Sequence, residues 1–385
     1  MKKSIIPFYS SSDRIVEKSL GCFQYDSEGK KFIDFESGVW CSNLGHSHPR
    51  IVSAINEQSR KSLHSGYRFR NRESEQLSLE LLRIIGFEDG ASVFLSSGSE
   101  AVDLSIKIAK RLSGKKKKKI LKIRNSYLSA YGYGELSSDN PHVVNAERND
   151  FECLDRIDFS DIAVLVLELG GASVDTVRFP AIDYVQKLAE LCRENSVLVI
   201  AEEVTTGMGR LGTWFGFQTY GISPDMVVTG KALGNGYPVS AVTVNYEVLK
   251  KLKNDLFIYA QSHQNDPLGC AVGVEVIKTF EEEHVIENCL KVGECFKARL
   301  QALKEAYPNV VKEVRAQGLM LALEFCESTD GSKLNERLFK AGFVVGYKQN
   351  TMRFLPPLTI TEREIDMLIA VLDALLKNEY ALINA

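Results

Sequence analysis

The chain has 385 residues, long enough at roughly 100–200 residues per domain for two domains around a large buried core. Hydrophobic residues make up 44% and charged residues 25%, values that exclude collagen-like, disordered and disulfide-scaffold chains. The 47 Lys and Arg against 50 Asp and Glu leave a net charge of −3, which gives no electrostatic basis for wrapping nucleic acid.

The first residues, Met1 to Phe8, hold two lysines but no sustained apolar segment, so no secretory signal is read there. No run of about 18 apolar residues occurs, so no membrane span is expected. The eight cysteines form no CxxC and have no zinc-finger spacing. They read as small buried residues of a reducing compartment, and the expected location is cytoplasmic.

In chain order, Cys22–Glu36 reads as a hairpin, with two partly alternating runs flanking the turn cluster Asp26-Ser27-Glu28-Gly29. A helix starts at Pro49, a favoured first helical position, and runs through Ile51 and Ile55 toward Leu63. From about residue 90 short apolar runs recur: Ser92–Leu95, Ile120–Ile123, Ala163–Leu167, Val197–Ala201, Met226–Val228 and Ala241–Val244. Helical patterns such as Ala101–Leu112 and Ile182–Cys192 separate several of them, which predicts an α/β fold with a mainly parallel sheet. The five lysines Lys115–Lys119 read as a solvated loop, since no aromatic residues interleave them. A helical stretch over about 268–305 follows. Strands at Leu319–Phe325, Phe343–Tyr347 and Met352–Leu355 and a helix from Glu362 to about Leu376 complete a smaller α+β domain. The expected division is 1–45 packing with the small domain, 46–267 as the large domain, and 268–385 as the small domain.

Ligands of such sheets gather at the carboxyl ends of strands. Three motifs fall there. In Phe94-Leu95-Ser96-Ser97-Gly98-Ser99-Glu100 a strand ends and a helix begins. The first N–H groups of that helix lack partners and favour a phosphate, although Ser97-x-x-Glu100 also fits a plain capping box. In Val197–Val204 an apolar strand delivers Glu202 and Glu203, only one of which faces a given pocket because side chains alternate. In Thr229-Gly230-Lys231-Ala232-Leu233-Gly234 a lysine follows a strand end among small residues, either a solvated loop lysine or one that captures an aldehyde. Together the three supply a phosphate cradle, a carboxylate and an amine, the parts that pyridoxal phosphate needs.

The stretch from Gly207 through Lys231 to Pro238 resembles the signature of class III aminotransferases, pyridoxal-phosphate enzymes of fold type I. The similarity extends over nearly the whole chain, through Tyr25–Gly38, Asn43–Pro49 and Met352–Leu358. It implies the large fold type I domain with a seven-stranded-type sheet, the smaller α+β domain, and a ping-pong transfer of an amino group from an amine or amino acid to a keto acid. By this resemblance Lys231 is the Schiff-base lysine and proton shuttle. Ser97, Gly98 and Ser99 form the phosphate loop, Tyr127 stacks on the ring, and Val204 packs on its opposite face. Ser262 matches a Thr that reaches the phosphate from the neighbouring subunit, implying a homodimer with shared sites. Arg353 matches the arginine that grips the substrate carboxylate.

Several positions depart from the family pattern. Glu202 stands where Asp is usual, Thr205 where Gln is usual, and Leu128-Ser129 where His-Gly usually follows the stacking tyrosine. The usual Gln lies near the cofactor's phenolic oxygen, which the shorter Thr205 is not expected to reach, leaving a role for water. Leu169 replaces a Pro. Ala172-Ser173 occupies the region where the ornithine and 4-aminobutyrate branches carry a glutamate that gates the arginine. Trp40 resembles a pocket aromatic of the ω-amino acid:pyruvate branch, so the expectation tilts toward ω-transaminase-like specificity. A racemase or aminomutase on the same scaffold and a non-catalytic relative are the competing readings.

Overall fold

The computed structural model describes residues 5, 6, 8, 12–66, 68–136, 138–255 and 257–383; most of the N-terminal octapeptide read above lies outside them. Strands β1 (Val16–Leu20), β2 (Phe23–Asp26) and β3 (Lys31–Asp34) form an antiparallel meander. Its second turn is built by Asp26, whose carboxylate accepts the N–H groups of Glu28 at 3.0 Å and Lys30 at 2.8 Å.

Seven strands follow: β4 (Gly90–Leu95), β5 (Lys119–Ile123), β6 (Val143–Ala146), β7 (Ile162–Glu168), β8 (Leu198–Glu202), β9 (Met226–Thr229) and β10 (Ser240–Asn245). They pair in the order β4-β10-β9-β8-β7-β5-β6. Neighbours from β6 to β9 are parallel, and β10 runs antiparallel to both β9 and β4. All of β7 is buried, as its unbroken apolar run requires when both faces of a sheet are covered. Leu95, Glu168, Glu202 and Thr229 therefore end their strands on one edge. The lysine run lies at the far edge, where the Lys117 amine donates to the Asn195 and Ser196 carbonyls.

The helical stretch expected over 268–305 is two helices, Pro267–Glu282 and Val285–Ala306. They break at His284, whose φ of +52° is left-handed and cannot continue a right-handed helix. Beyond them lie β11 (Val311–Gln317), β12 (Met320–Phe325), β13 (Phe343–Val344), β14 (Gly346–Lys348) and β15 (Thr351–Phe354). The single strand expected at Phe343–Tyr347 is thus split. β13 extends the N-terminal meander by pairing with β3, whereas β14 joins the sheet β11-β12-β15-β14. Phe35, fully buried at the end of β3, stacks edge-on to Phe296 and Phe354 at 5.9 and 6.4 Å and joins the N-terminal segment to this region. The cysteines are all free; Cys22, Cys192, Cys270 and Cys289 are buried, but Cys41, Cys153, Cys295 and Cys326 are only half-buried. No helix among the described residues is long and apolar enough to cross a membrane.

Candidate active site

The helix Gly98–Leu112 begins where β4 ends. Ser97 is its N-cap, and the capping box with Glu100 forms: the Glu100 carboxylate accepts the N–H groups of Ser96 at 3.0 Å and Ser97 at 2.8 Å. The box does not compete with an anion, because the next N–H groups, at Gly98 and Ser99, still start the helix without intrahelical acceptors. Ser99 turns its hydroxyl to the N–H of Ala130 at 3.0 Å, tying the loop after Tyr127 to this turn. Gly98 has no room for a side chain: a Cβ there would meet Val204 Cγ1 at 2.8 Å. Val204 also lies 3.3 Å from the Cβ position of Gly230, so it wedges between the phosphate-loop glycine and the residue before Lys231.

The two strand-end carboxylates point apart, as alternation demands. Glu203 is spent on structure: it accepts the N–H groups of Gly216 at 2.9 Å and Phe217 at 2.8 Å and the Thr206 hydroxyl at 2.5 Å. Glu202 faces the pocket and accepts the Val204 N–H at 3.2 Å. In strand register it lies beside Glu168, and both are buried. Burial pushes Glu168 up to about 7, against the opposing pull of the Gly171 and Tyr127 N–H groups and the Lys231 charge. Burial, and then the neighbouring Glu168, raise Glu202 as well, with Lys231 again opposing. Two buried carboxylates thus share one lysine.

Lys231 sits at a left-handed φ of +41° and donates to Thr205 Oγ1 at 2.6 Å. Thr205 thus reaches the lysine directly, a contact that sequence reading did not anticipate. Burial holds the Lys231 amine below its ordinary range, while Glu202, Cys41 and Glu168 pull it back. A lowered amine carries a lone pair nearer neutral pH, as a nucleophile and proton acceptor must.

Trp40 is buried, and two cations approach its indole, with Lys231 Nζ at 4.9 Å and Arg353 Cζ at 5.4 Å from the ring centroid. The turn that presents it, Ser37 to Trp40, holds four successive left-handed residues, with φ from +42° to +67°. Such backbone is costly for Val39 and needs external support. Asp34 provides it by accepting the N–H groups of Glu36 at 2.7 Å and Gly38 at 2.9 Å. Ser37 also donates to the Leu355 carbonyl at 2.8 Å. Arg210 is fully buried behind this turn and donates to Leu319 O, Pro356 O and Asn43 Oδ1. Arg353 donates to the Ala172 carbonyl at 2.7 Å, in the region where the other branches carry their glutamate.

The carboxylate nearest to Arg353 comes from elsewhere. Glu36 Oε1 lies 3.9 Å from Arg353 Nη2, supplied by the N-terminal segment. Burial raises the Glu36 carboxyl, and the Arg353 charge opposes this. Glu36 Oε1, Arg353 Nε and Trp40 Nε1 are all buried, and the Trp40 indole N–H lies close enough to the Glu36 carboxylate to favour its charged form. Glu36 escaped sequence reading because it sits in the hairpin motif, more than 300 residues from the arginine it faces. Tyr127 is 42% exposed, its ring open to the pocket side near Glu202. Ser262, expected to reach the phosphate of a neighbouring subunit, is exposed. Its neighbour Gln261 does reach the loop, donating to Ser96 Oγ and Glu100 Oε1 at 3.2 Å each.

Pyridoxal 5′-phosphate fits these residues. The glycine cradle and helix start suit its phosphate. A protonated pyridine nitrogen meets the charge deficit of the Glu202–Glu168 pair, and its aldehyde suits the Lys231 amine. Fold and site together define a pyridoxal-phosphate enzyme of fold type I. The family model for class III aminotransferases matches residues 8–133 and 130–376, and the chain belongs to this family of pyridoxal-phosphate-dependent aminotransferases. The acetylornithine aminotransferase of Caldanaerobacter subterraneus is 31% identical, with 97% of this chain and 98% of that protein covered. A crystal structure of acetylornithine aminotransferase from Elizabethkingia anophelis superposes with a TM-score of 0.87 at 27% identity, covering 98% of this chain and 97% of that one. A PMP-bound aminotransferase from Vibrio fluvialis shares the fold at a TM-score of 0.89 and 24% identity, with 98% and 97% covered.

Proposed function

We propose that this aminotransferase has ω-transaminase-like specificity, taking an amino group from an amine or ω-amino acid and passing it to a keto acid. The observation that carries the reading is the Trp40 indole in reach of both the Lys231 amine and the Arg353 guanidinium. When bound, pyridoxal phosphate supplies the electron sink for the carbanion. Lys231 takes the proton from the substrate carbon and returns it, with Thr205 Oγ1 orienting the amine between turns. Glu202 holds the positive pyridine nitrogen. Ser97, Gly98 and Ser99 would hold its phosphate, and Tyr127 and Val204 would pack against its ring. Arg353 binds the keto-acid carboxylate in the second half-reaction. Ser262 serves the site of a second copy, so the working unit is a homodimer in the cytoplasm. Residues 1–45 and 268–385 form its small domain, and 46–267 its large one.

The test is a visible spectrum of the purified protein with pyridoxal phosphate. A yellow band forms, a plain amine or ω-amino acid bleaches it, and a keto acid restores it. N-acetylornithine belongs in the same panel, because similar proteins are acetylornithine aminotransferases. Bleaching by α-amino acids alone, with no response to terminal amines, overturns the ω reading but leaves the transamination intact. Lys231→Ala abolishes turnover and weakens, without abolishing, cofactor binding.

A further inference from the structure

A second cluster of chemistry-bearing side chains lies outside the site described above. His64 follows the helix Pro49–Lys61, and His263 and Asp266 precede the helix Pro267–Glu282. The Asp266 carboxylate lies between the two rings, with Oδ1 2.5 Å from His64 Nδ1 and Oδ2 2.5 Å from His263 Nδ1. The ring centroids are 5.2 Å apart, and one ligand atom from each residue falls within 4.8 Å of the others.

Asp266 occupies the N-cap position of its helix yet makes no cap hydrogen bond there. An aspartate in that position ordinarily turns an oxygen to the N–H of the second or third helical residue. Here both oxygens are turned away, toward imidazoles from two separate segments. Two imidazole nitrogens and one carboxylate oxygen form a donor set suited to zinc and its neighbours among the divalent transition metals, with a fourth position left to water. Both histidines are exposed in the single chain, beside Ser262 on the face proposed to meet a second copy.

We propose that His64, His263 and Asp266 form a zinc-class metal site that fastens the segment after residue 61 to the loop ahead of residue 267. The site adjoins a cavity of about 210 Å³ lined by His263, Asp266, Tyr237, Leu95 and Ser96. Gln261, two residues before His263, donates to Ser96 and Glu100 at the start of the phosphate-loop helix. An ion held by His263 therefore fixes the loop that touches the phosphate cradle. The inference does not depend on the proposed substrate specificity.

The test uses the full chain, stripped with a chelator and titrated with zinc against a fluorescent zinc indicator, beside His64→Asn/His263→Asn and Asp266→Asn variants. One zinc per chain binds the native protein, and either variant weakens binding at least about tenfold. Zinc raises the melting temperature of the native protein and leaves that of the variants unchanged, while magnesium does neither. The yellow band with pyridoxal phosphate shows that each variant is folded. Cobalt(II) on the native protein provides a second readout that needs no variant: a spectrum of nitrogen and oxygen ligands supports the site. A thiolate charge-transfer band, unchanged zinc binding in the double variant, or no zinc binding at all overturns it.

Discussion

Glu36 illustrates how a single side chain sets the electrostatics of a pocket. Arg353 is a buried cation, and a buried cation without a counter-charge is expensive. Glu36 at 3.9 Å compensates it in part, but too far away for a hydrogen bond. In the proposed role of Arg353, a keto-acid carboxylate competes with Glu36 for the same guanidinium. Glu36→Gln therefore lowers the KM for the keto acid, by about fivefold for each kcal/mol of competition removed. Turnover with an amine that lacks a carboxylate falls in the same variant, because Arg353 is then left uncompensated. Steady-state kinetics with the two substrates varied in turn reads both changes; a merely structural loss would worsen both substrates alike. The residue scale was partly legible. The glycine-flanked Lys231 and the strand-end Glu202 lie in local motifs, whereas Glu36 and the reach of Thr205 depend on segments distant in sequence.

Elements act through their ends. The starts and stops of β4, β8 and β9 bring Gly98, Val204 and Gly230 into one packed seam. Gly98→Ala places a methyl group 2.8 Å from Val204 Cγ1, and the helix start must shift. The expected result is at least about tenfold weaker cofactor binding, with Val204→Ala restoring most of it in the double variant. Titration of the cofactor-free protein with pyridoxal phosphate measures this. The in-register pair on β7 and β8 gives a pH dependence. Glu168 titrates near 7 when folded, against 4.5 for its ordinary value, so its folded pKa is raised. Folding then takes up a proton between those values, and the carboxyl destabilises the protein fully above pH 7 and not at all below 4.5. The melting temperature of cofactor-free Glu168→Gln, measured relative to native protein, should therefore rise as pH goes from 5 to 8. A flat difference would show that Glu168 has an ordinary carboxyl. At this scale the strands of the central sheet were readable from their apolar runs. The break at His284 and the split at Val345 were not, because no proline or turn cluster marks either.

Over the whole molecule, the N-terminal segment matters beyond its length. Phe35 packs among Phe296, Phe343 and Phe354, and β3 pairs with β13, so residues near 35 close onto residues near 350. Asp34, Glu36 and Trp40 are placed by that closure. Phe35→Ala opens a buried aromatic cluster and costs about 3–5 kcal/mol. It also displaces Trp40, so the variant loses activity at temperatures where its central sheet, followed by far-UV circular dichroism, remains folded. Equal loss of both signals in a single transition would show instead that the segment is part of one cooperative unit.

The sequence by itself determined the class of the fold and the chemistry its central motifs could carry. Apolar runs of strand length, helical periodicity and small residues around Lys231 are local properties, set by side-chain alternation and backbone freedom. The long motif around that lysine also carried the family. The tertiary structure alone decided which charges meet. Strand register puts Glu168 beside Glu202, and β3–β13 pairing puts Glu36 opposite Arg353. Chain folding brings His64 to Asp266 across 202 positions. Coulomb and hydrogen-bond energies depend on distances of a few ångströms, which residue spacing along a chain does not fix once the chain turns back on itself.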